Sequence, residues 1–590
     1  MNKKLKSQIK RSMPKNLRPG KEILNEGIEL SKSIDIGQTL FLKENNVKSE
    51  LEYKKKMMKE RKVTFNMQYG LSDFEKSIKG LEHIYNECVS RGHEVTRFGL
   101  CLDRSMGLPK QMRDRVARES GLFIENEEGW ERIAQTVPMQ PHYGDHMIGS
   151  PASVENTISA LKSGVTTIGN YSQYFTYEYP LWENKVLRTE NTIRALGIMA
   201  DKRNDGVLVH SNIDDGVSAY FSDTCSLIAW AILEFYIVEK LTGAKIAQTF
   251  GNLVDDPKLR MATLIALNKI HDGKLVGAMV IGNTVGATED LDRNFASVAG
   301  YAIYDMILQM KHPTGHAIQP LPITEMIRIP TPEENAQIQV FGNQLLKEAE
   351  KIYKSGLIDF TPVYELSDQL YKQGQKYFNN MINFLKDVVD ITDPLQMMLA
   401  IKNINPVYIE KIFTDTLDEE SSTYKPIVPR GMYAKIEDFI EKENQRIDFK
   451  NIKNSSVITG LKAVVATTDV HEFGKMVING VLKECGVEVF DAGSVGNPND
   501  LVYLTSKEKA DILIVSTHNG GALSYGKTLT EGMEEYAINI PVFMGGRLNE
   551  DTGDDVPVDV TADLKKIGVN TSSTPEELVR RLILLFESDE

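Results

Sequence analysis

Between Val63 and Ile323 the chain repeats one pattern eight times: a short apolar, β-like run followed by enough residues for a helix. The runs are Val63–Met67, Phe98–Leu102, Val137–His142, Val165–Gly169, Val207–His210, Ile246–Phe250, Ala278–Ile281 and Ala317–Ile323. Helical periodicity separates most of them, at Ser72–Arg91, Val154–Ser163, Thr189–Lys202, Leu227–Thr242, Lys258–His271 and Leu291–Met310. Short apolar strands that alternate with helices pair in parallel and bury both faces. Eight of them in about 260 residues is the count and size of a closed (β/α)8, TIM-type barrel. No sequence repeat is visible inside it.

Chemistry in such a barrel belongs at the carboxyl ends of the strands. Those ends carry Arg104 beside Asp103, then His142, Asp145 and His146, then Asn170 and Tyr171, then His210 and Asn212, and finally Glu325. A guanidinium grips a carboxylate through two N–H bonds, so Arg104 is the first candidate for holding a small organic acid. His142, His146 and His210 are candidates for hydrogen bonding or proton transfer, and Tyr177 joins them as a catalytic candidate. For each, the competing role is a loop residue that caps a helix or satisfies backbone.

A second alternation occupies 456–590 and predicts a doubly wound, flavodoxin-like parallel sheet. Its first run, Lys462–Thr467, leads into Asp469-Val470-His471-Glu472-Phe473-Gly474. Ile512–Val515 leads into Ser516-Thr517-His518-Asn519-Gly520-Gly521, and Val542–Met544 into Gly545-Gly546. A histidine offers one ring nitrogen to a metal while a carboxylate holds the other N–H, and glycines let a flat ligand approach the backbone. This spaced set resembles the cobalamin-binding domain of adenosylcobalamin mutases and methionine synthase, whose signature is D-x-H-x-x-G, a later Ser and a G-G pair. The resemblance implies that His471 is the lower axial ligand of cobalt, with Asp469 as its partner. It places Gly474, Ser516, Gly520, Gly545 and Gly546 against the cofactor. His518 stands where that family usually has Leu.

Two further stretches resemble the catalytic subunit of glutamate mutase: Gly243 to Leu253, and Glu325-Met326-Ile327-Arg328-Ile329-Pro330-Thr331. The fusion of both parts in one chain is similar to 2-methyleneglutarate mutase. The resemblance implies adenosylcobalamin as cofactor and a radical isomerisation of a small organic acid, with Glu325 near the adenosyl ribose. The match is incomplete. Leu321 replaces a lysine, Met147 an arginine and Gly169 a glutamate, which argues against glutamate as the substrate. Two other classes stay open: a corrinoid methyl-transfer protein, and a metal-dependent barrel hydrolase using His142, Asp145, His146 and His210.

Residues 1–62 read as a charged helical arm, suited to a neighbouring subunit in a homo-oligomer or to solvent. Residues 63–335 form the expected barrel and 336–455 a helical region and linker. Net charge −14 argues against nucleic acid or an anionic membrane surface as partner. The amino-terminal stretch lacks the apolar core of a signal peptide, and the four cysteines are scattered, which together predict a cytoplasmic protein.

Overall fold

The computed structural model describes residues 2–116, 118, 121–214, 216–284, 287–325, 327–418, 424–446, 457–468, 473–494, 498–518, 520–550 and 557–587. They fall into two compact units, Met1–Gly431 and Met432–Glu590. The division stands at Gly431, earlier than the expected start of the second domain at 456.

The first unit is the expected barrel. Its strands are β1 (Asn66–Tyr69), β2 (Arg97–Leu100), β3 (Gln140–Tyr143), β4 (Thr167–Ile168), β5 (Leu208–Asn212), β6 (Ile246–Thr249), β7 (Met279–Val280) and β8 (Ala317–Ile318). β1 to β6 pair in sequence order and in parallel, and β7 pairs with β8. Parallel bridges between Phe250 and Val280 and between Phe65 and Ile318 join the two sheets and close the ring. Each predicted run overlaps its strand. The helix Glu127–Thr136, capped by the Asn126 side chain, was not foreseen. Its apolar residues Trp130, Ile133 and Ala134 are few and widely spaced, so the periodic signal is weak.

The amino-terminal helices pack on their own barrel. Gly27 lies so close to the helix Lys185–Asp201 that a Cβ there would stand 2.0 Å from the Arg194 carbonyl oxygen. The helix Glu50–Glu60 stoppers the barrel at the amino ends of its strands. Lys54 Nζ donates to the carbonyls of Gly277 (2.5 Å) and Ala278 (2.6 Å), and Glu50 meets Arg97 Nε at 2.8 Å. The long helices Pro332–Ser355 and Thr361–Leu385 belong to this unit too, with Tyr377, Met381 and Phe384 in the barrel's main apolar core.

The second unit carries β9 (Lys462–Thr467), β10 (Glu488–Ser494), β11 (Ile512–Thr517), β12 (Val542–Gly546), a small hairpin of β13 (Asn549–Glu550) and β14 (Val558–Asp559), and β15 (Asn570–Ser572). The main sheet runs in the order β10-β9-β11-β12-β15, all parallel, which is the flavodoxin-like arrangement. Ala463, Val465, Ile512 and Ile514 face one apolar core, while Val464, Ala466, Leu513 and Val515 face the other. Helices cover both sides, so consecutive residues are apolar instead of alternating with polar ones. Among the described residues no helix is long and apolar enough to cross a membrane.

Candidate functional site

At the barrel mouth the structure brings together residues from three strand ends. Asp103 is a cap: its carboxylate accepts from the Ser105 N–H at 2.9 Å and starts the turn Arg104–Gly107. That turn carries Arg104 into the mouth, where it is 7% exposed and its guanidinium carbon lies 5.9 Å from the centre of the Tyr177 ring. His146 is held in the left-handed region (φ 58°), with its ring 5.9 Å from Tyr177 and its Nδ1 3.2 Å from the Tyr179 hydroxyl. Gln173 ties the two loops together. It donates to Asp145 Oδ1 at 2.6 Å and accepts from the His146 N–H at 3.2 Å.

Burial, then the charges of Arg104 and Arg188, push His146 down to about 3, so its ring is neutral. Burial raises Asp145 above the ordinary carboxylate range. The Cys101 thiol is raised by burial and then by the fields of Asp145 and Glu325, which places both carboxylates within electrostatic reach of the end of β2.

His142 and His210 lie deeper, on β3 and β5, with ring centres 4.3 Å apart and edge to face. Their nitrogens face different partners: His142 Nδ1 the Thr167 carbonyl at 3.0 Å, His210 Nδ1 the Thr249 hydroxyl at 3.4 Å. Among the described residues no three of His, Cys, Asp or Glu are placed to hold a metal ion. The hydrolase alternative needed His142, Asp145, His146 and His210 to converge, and they do not.

One departure from the glutamate mutase pattern, Gly169, has a steric basis. A Cβ at Gly169 would stand 2.4 Å from the His210 carbonyl oxygen and 2.6 Å from its ring, so His210 occupies the room a glutamate would need. Met147 is fully buried in the apolar core.

Sequence reasoning missed Arg188, because an arginine inside a helix reads as a solvated face. It is 1% exposed and donates to the carbonyls of Gly149 (2.6 Å), Tyr177 (2.6 Å) and Tyr174 (3.3 Å). It thereby fixes the loops after β3 and β4 that carry His146 and the tyrosines. Arg188→Met is expected to lower stability by about 3 kcal/mol, because buried carbonyls lose a charged donor. Amide exchange over 170–179 is expected to accelerate more than exchange in β9 or β11. Arg188→Lys is expected to rescue little, since one ammonium cannot span three carbonyls as the planar fork does.

In the second unit, Gly474, Ser516, Gly545 and Gly546 gather at the carboxyl ends of β9, β11 and β12. Ser516 pairs in register with Gly545, and a Cβ on Gly474 would come within 2.9 Å of the Ser516 hydroxyl. Gly546 (φ 87°) and Gly520 (φ 67°) both adopt left-handed backbone. At Gly546 a Cβ would stand 2.3 Å from the Thr517 carbonyl, so strand packing alone already demands glycine there. Gly493 and Gly521 border open space. Lys475 is fully buried and pairs with Asp491 at 2.5 Å, and Asn479 donates to the same carboxylate at 2.8 Å. Asp469 and His471 lie outside the described residues. A glycine-lined rim with one buried hydroxyl, at the carboxyl edge of a parallel sheet, fits a large flat cofactor.

Residues 461–560 match the family model described as the B12 binding domain. The C-terminal sheet is that of a B12-binding domain. Cobalamin, with its cobalt, is therefore the cofactor this domain supports. Among solved structures the chain is similar to the methanol:cobalamin methyltransferase complex MtaBC from Methanosarcina barkeri, at 14% identity and a TM-score of 0.19, over 51% of this chain and 82% of that one. No curated protein gives a significant match to the sequence.

Proposed function

We infer that the protein is an adenosylcobalamin-dependent isomerase that rearranges the carbon skeleton of a small organic acid. The observation that carries this reading is the buried Arg104 beside Tyr177 and the neutral His146, in the mouth of a closed barrel on the same chain as a B12-binding domain. A guanidinium withdrawn from water binds a carboxylate far more strongly than an exposed one. When bound, adenosylcobalamin supplies a carbon-centred radical by homolysis of its cobalt–carbon bond. The chain's own residues hold the acid at Arg104, orient it against Tyr177 and His146, and keep water away from the reacting carbons. Glu325, in the segment that follows the eighth strand, is assigned to the adenosyl ribose. His471 is assigned to cobalt, with Asp469 fixing its ring.

Paramagnetic resonance of the adenosylcobalamin-loaded protein, screened against small dicarboxylic, hydroxy and amino acids, tests this function. A coupled cobalt–organic radical spectrum with one acid is the expected result. Methyl transfer to cobalamin from a methylated donor, with no radical spectrum from any acid, would replace this reading by that of a corrinoid methyl carrier. Such carriers usually place a small helical cap before the corrin domain. Here, among the described residues that precede β9 in the second unit, Gly431–Arg446 is a helix whose Ile440 packs against the sheet core.

His471→Ala is expected to weaken retention of the corrinoid by at least about tenfold. It is also expected to remove nitrogen hyperfine splitting from the cobalt signal. Unchanged splitting would move the ligand role to another residue.

A further inference from the structure

The wall of the barrel holds an acceptor for which the described residues supply no donor. His142 is fully buried, and its Nδ1 lies 3.0 Å from the Thr167 carbonyl oxygen. A carbonyl only accepts, so the proton sits on Nδ1 and Nε2 presents a lone pair. Burial first, then the charge of Arg97 and the neighbouring His210, hold the ring well below its ordinary value and therefore neutral. Nε2 itself has no partner among the described residues. A Cβ built on Gly144 would stand 3.2 Å from Nε2, so the free edge of the ring points past the end of β3 toward the mouth.

Gln68 and His142 sit at one level of the wall, on either side of Gly99 in register. The Gln68 side chain lies across that glycine, where a Cβ would meet its Oε1 at 1.9 Å. This oxygen, too, is buried without a donor among the described residues. Buried acceptors left unmet are destabilising, and a site built around them discriminates strongly against ligands that cannot donate.

We propose that His142 determines specificity: its Nε2 accepts a hydrogen bond from a hydroxyl group of the acid held at the barrel mouth, so the substrate is a hydroxy acid. This rests on the reading of the mouth as an acid-binding site. Charge selects hydroxyl over ammonium. Arg97 and Lys54 both act on His142 from the amino ends of the strands, and Glu50 balances only one of their charges, so an ammonium would add to a positive field. A hydroxyl donates without adding charge.

The test is equilibrium binding to the full-length protein without cobalamin. The probes are two matched sets: succinate, malate and aspartate, and glutarate, 2-hydroxyglutarate and glutamate. In at least one set the hydroxy acid is expected to bind about tenfold tighter than its parent and its amino analogue. His142→Phe is expected to erase that preference. His142→Gln, which keeps an amide oxygen in reach, is expected to retain part of it. In wild-type protein labelled with 15N-histidine, an unprotonated Nε2 resonance missing from the His142→Gln spectrum is expected to shift upfield with the hydroxy acid and not with its parent. Equal affinities for parent and hydroxy acid, a tighter amino acid, a preference that survives His142→Phe, or a protonated Nε2 would each overturn the proposal. If no acid binds, the acid-site reading falls and takes this proposal with it. If the hydroxyl preference appears but no acid yields a radical with adenosylcobalamin, the isomerase reading falls alone.

Discussion

Arg104→Met is expected to lose about 2–4 kcal/mol of binding to small carboxylic acids, roughly 30- to 1,000-fold in affinity. The size follows from burial: at 7% exposure the guanidinium meets its ligand with little competition from water. Methionine keeps most of the apolar stem that lies near Tyr177, so packing should survive while the fork is lost. Arg104→Lys should recover only part of the affinity, because one ammonium cannot make the bidentate contact. Calorimetric titration of wild type and both variants with the same acid measures these effects. Equal affinities for all three would remove Arg104 from the binding site and move the carboxylate clamp elsewhere.

Glu50→Ala is expected to destabilise the barrel by about 3–5 kcal/mol, because it leaves Arg97 buried without a counterion and removes the carboxylate that keeps Lys54, already lowered by burial to about 7, protonated. That is a large part of the 5–15 kcal/mol that typically separates folded from unfolded domains. Burial by itself would raise the Glu50 pKa, yet Arg97 and then Lys54 overcome it and hold the carboxyl below its ordinary value. The sign is that of a carboxylate with a depressed folded-state pKa. Its contribution is present above the unfolded value and is lost as pH falls through the folded one. Replacing all three residues together by Leu or Met of similar volume should restore most of the stability, since no charge is then buried. With two units in the chain, a single melting temperature would mix two transitions. Hydrogen exchange in β2 and in 277–280 isolates the barrel. Wild-type exchange there in Glu50→Ala would mean that water reaches Arg97 and Lys54.

Strand placement and layering were legible in the sequence. The apolar runs at Val207–His210 and Ile246–Phe250 coincide with β5 and β6 to within two residues. Ala463 to Ala466 and Ile512 to Val515 declare a sheet buried on both faces, because four consecutive apolar residues cannot all point one way. Arg104 and His142, His146 and His210 were reachable for the same reason: position at the end of a predicted strand is a local property.

The sequence by itself thus determined the two parallel sheets, their place along the chain and the strand ends that carry polar groups, since side-chain period and turn chemistry act within a few residues of one another. Only the tertiary structure decided what those groups do. It made the helix Glu50–Glu60 a stopper for its own barrel, placed Arg188 across carbonyls up to 39 positions away, and left one nitrogen of His142 engaged and the other unmet. The physical reason is that burial and charge pairing depend on residues far apart in the chain, and a buried Glu50 has the same letter as an exposed one.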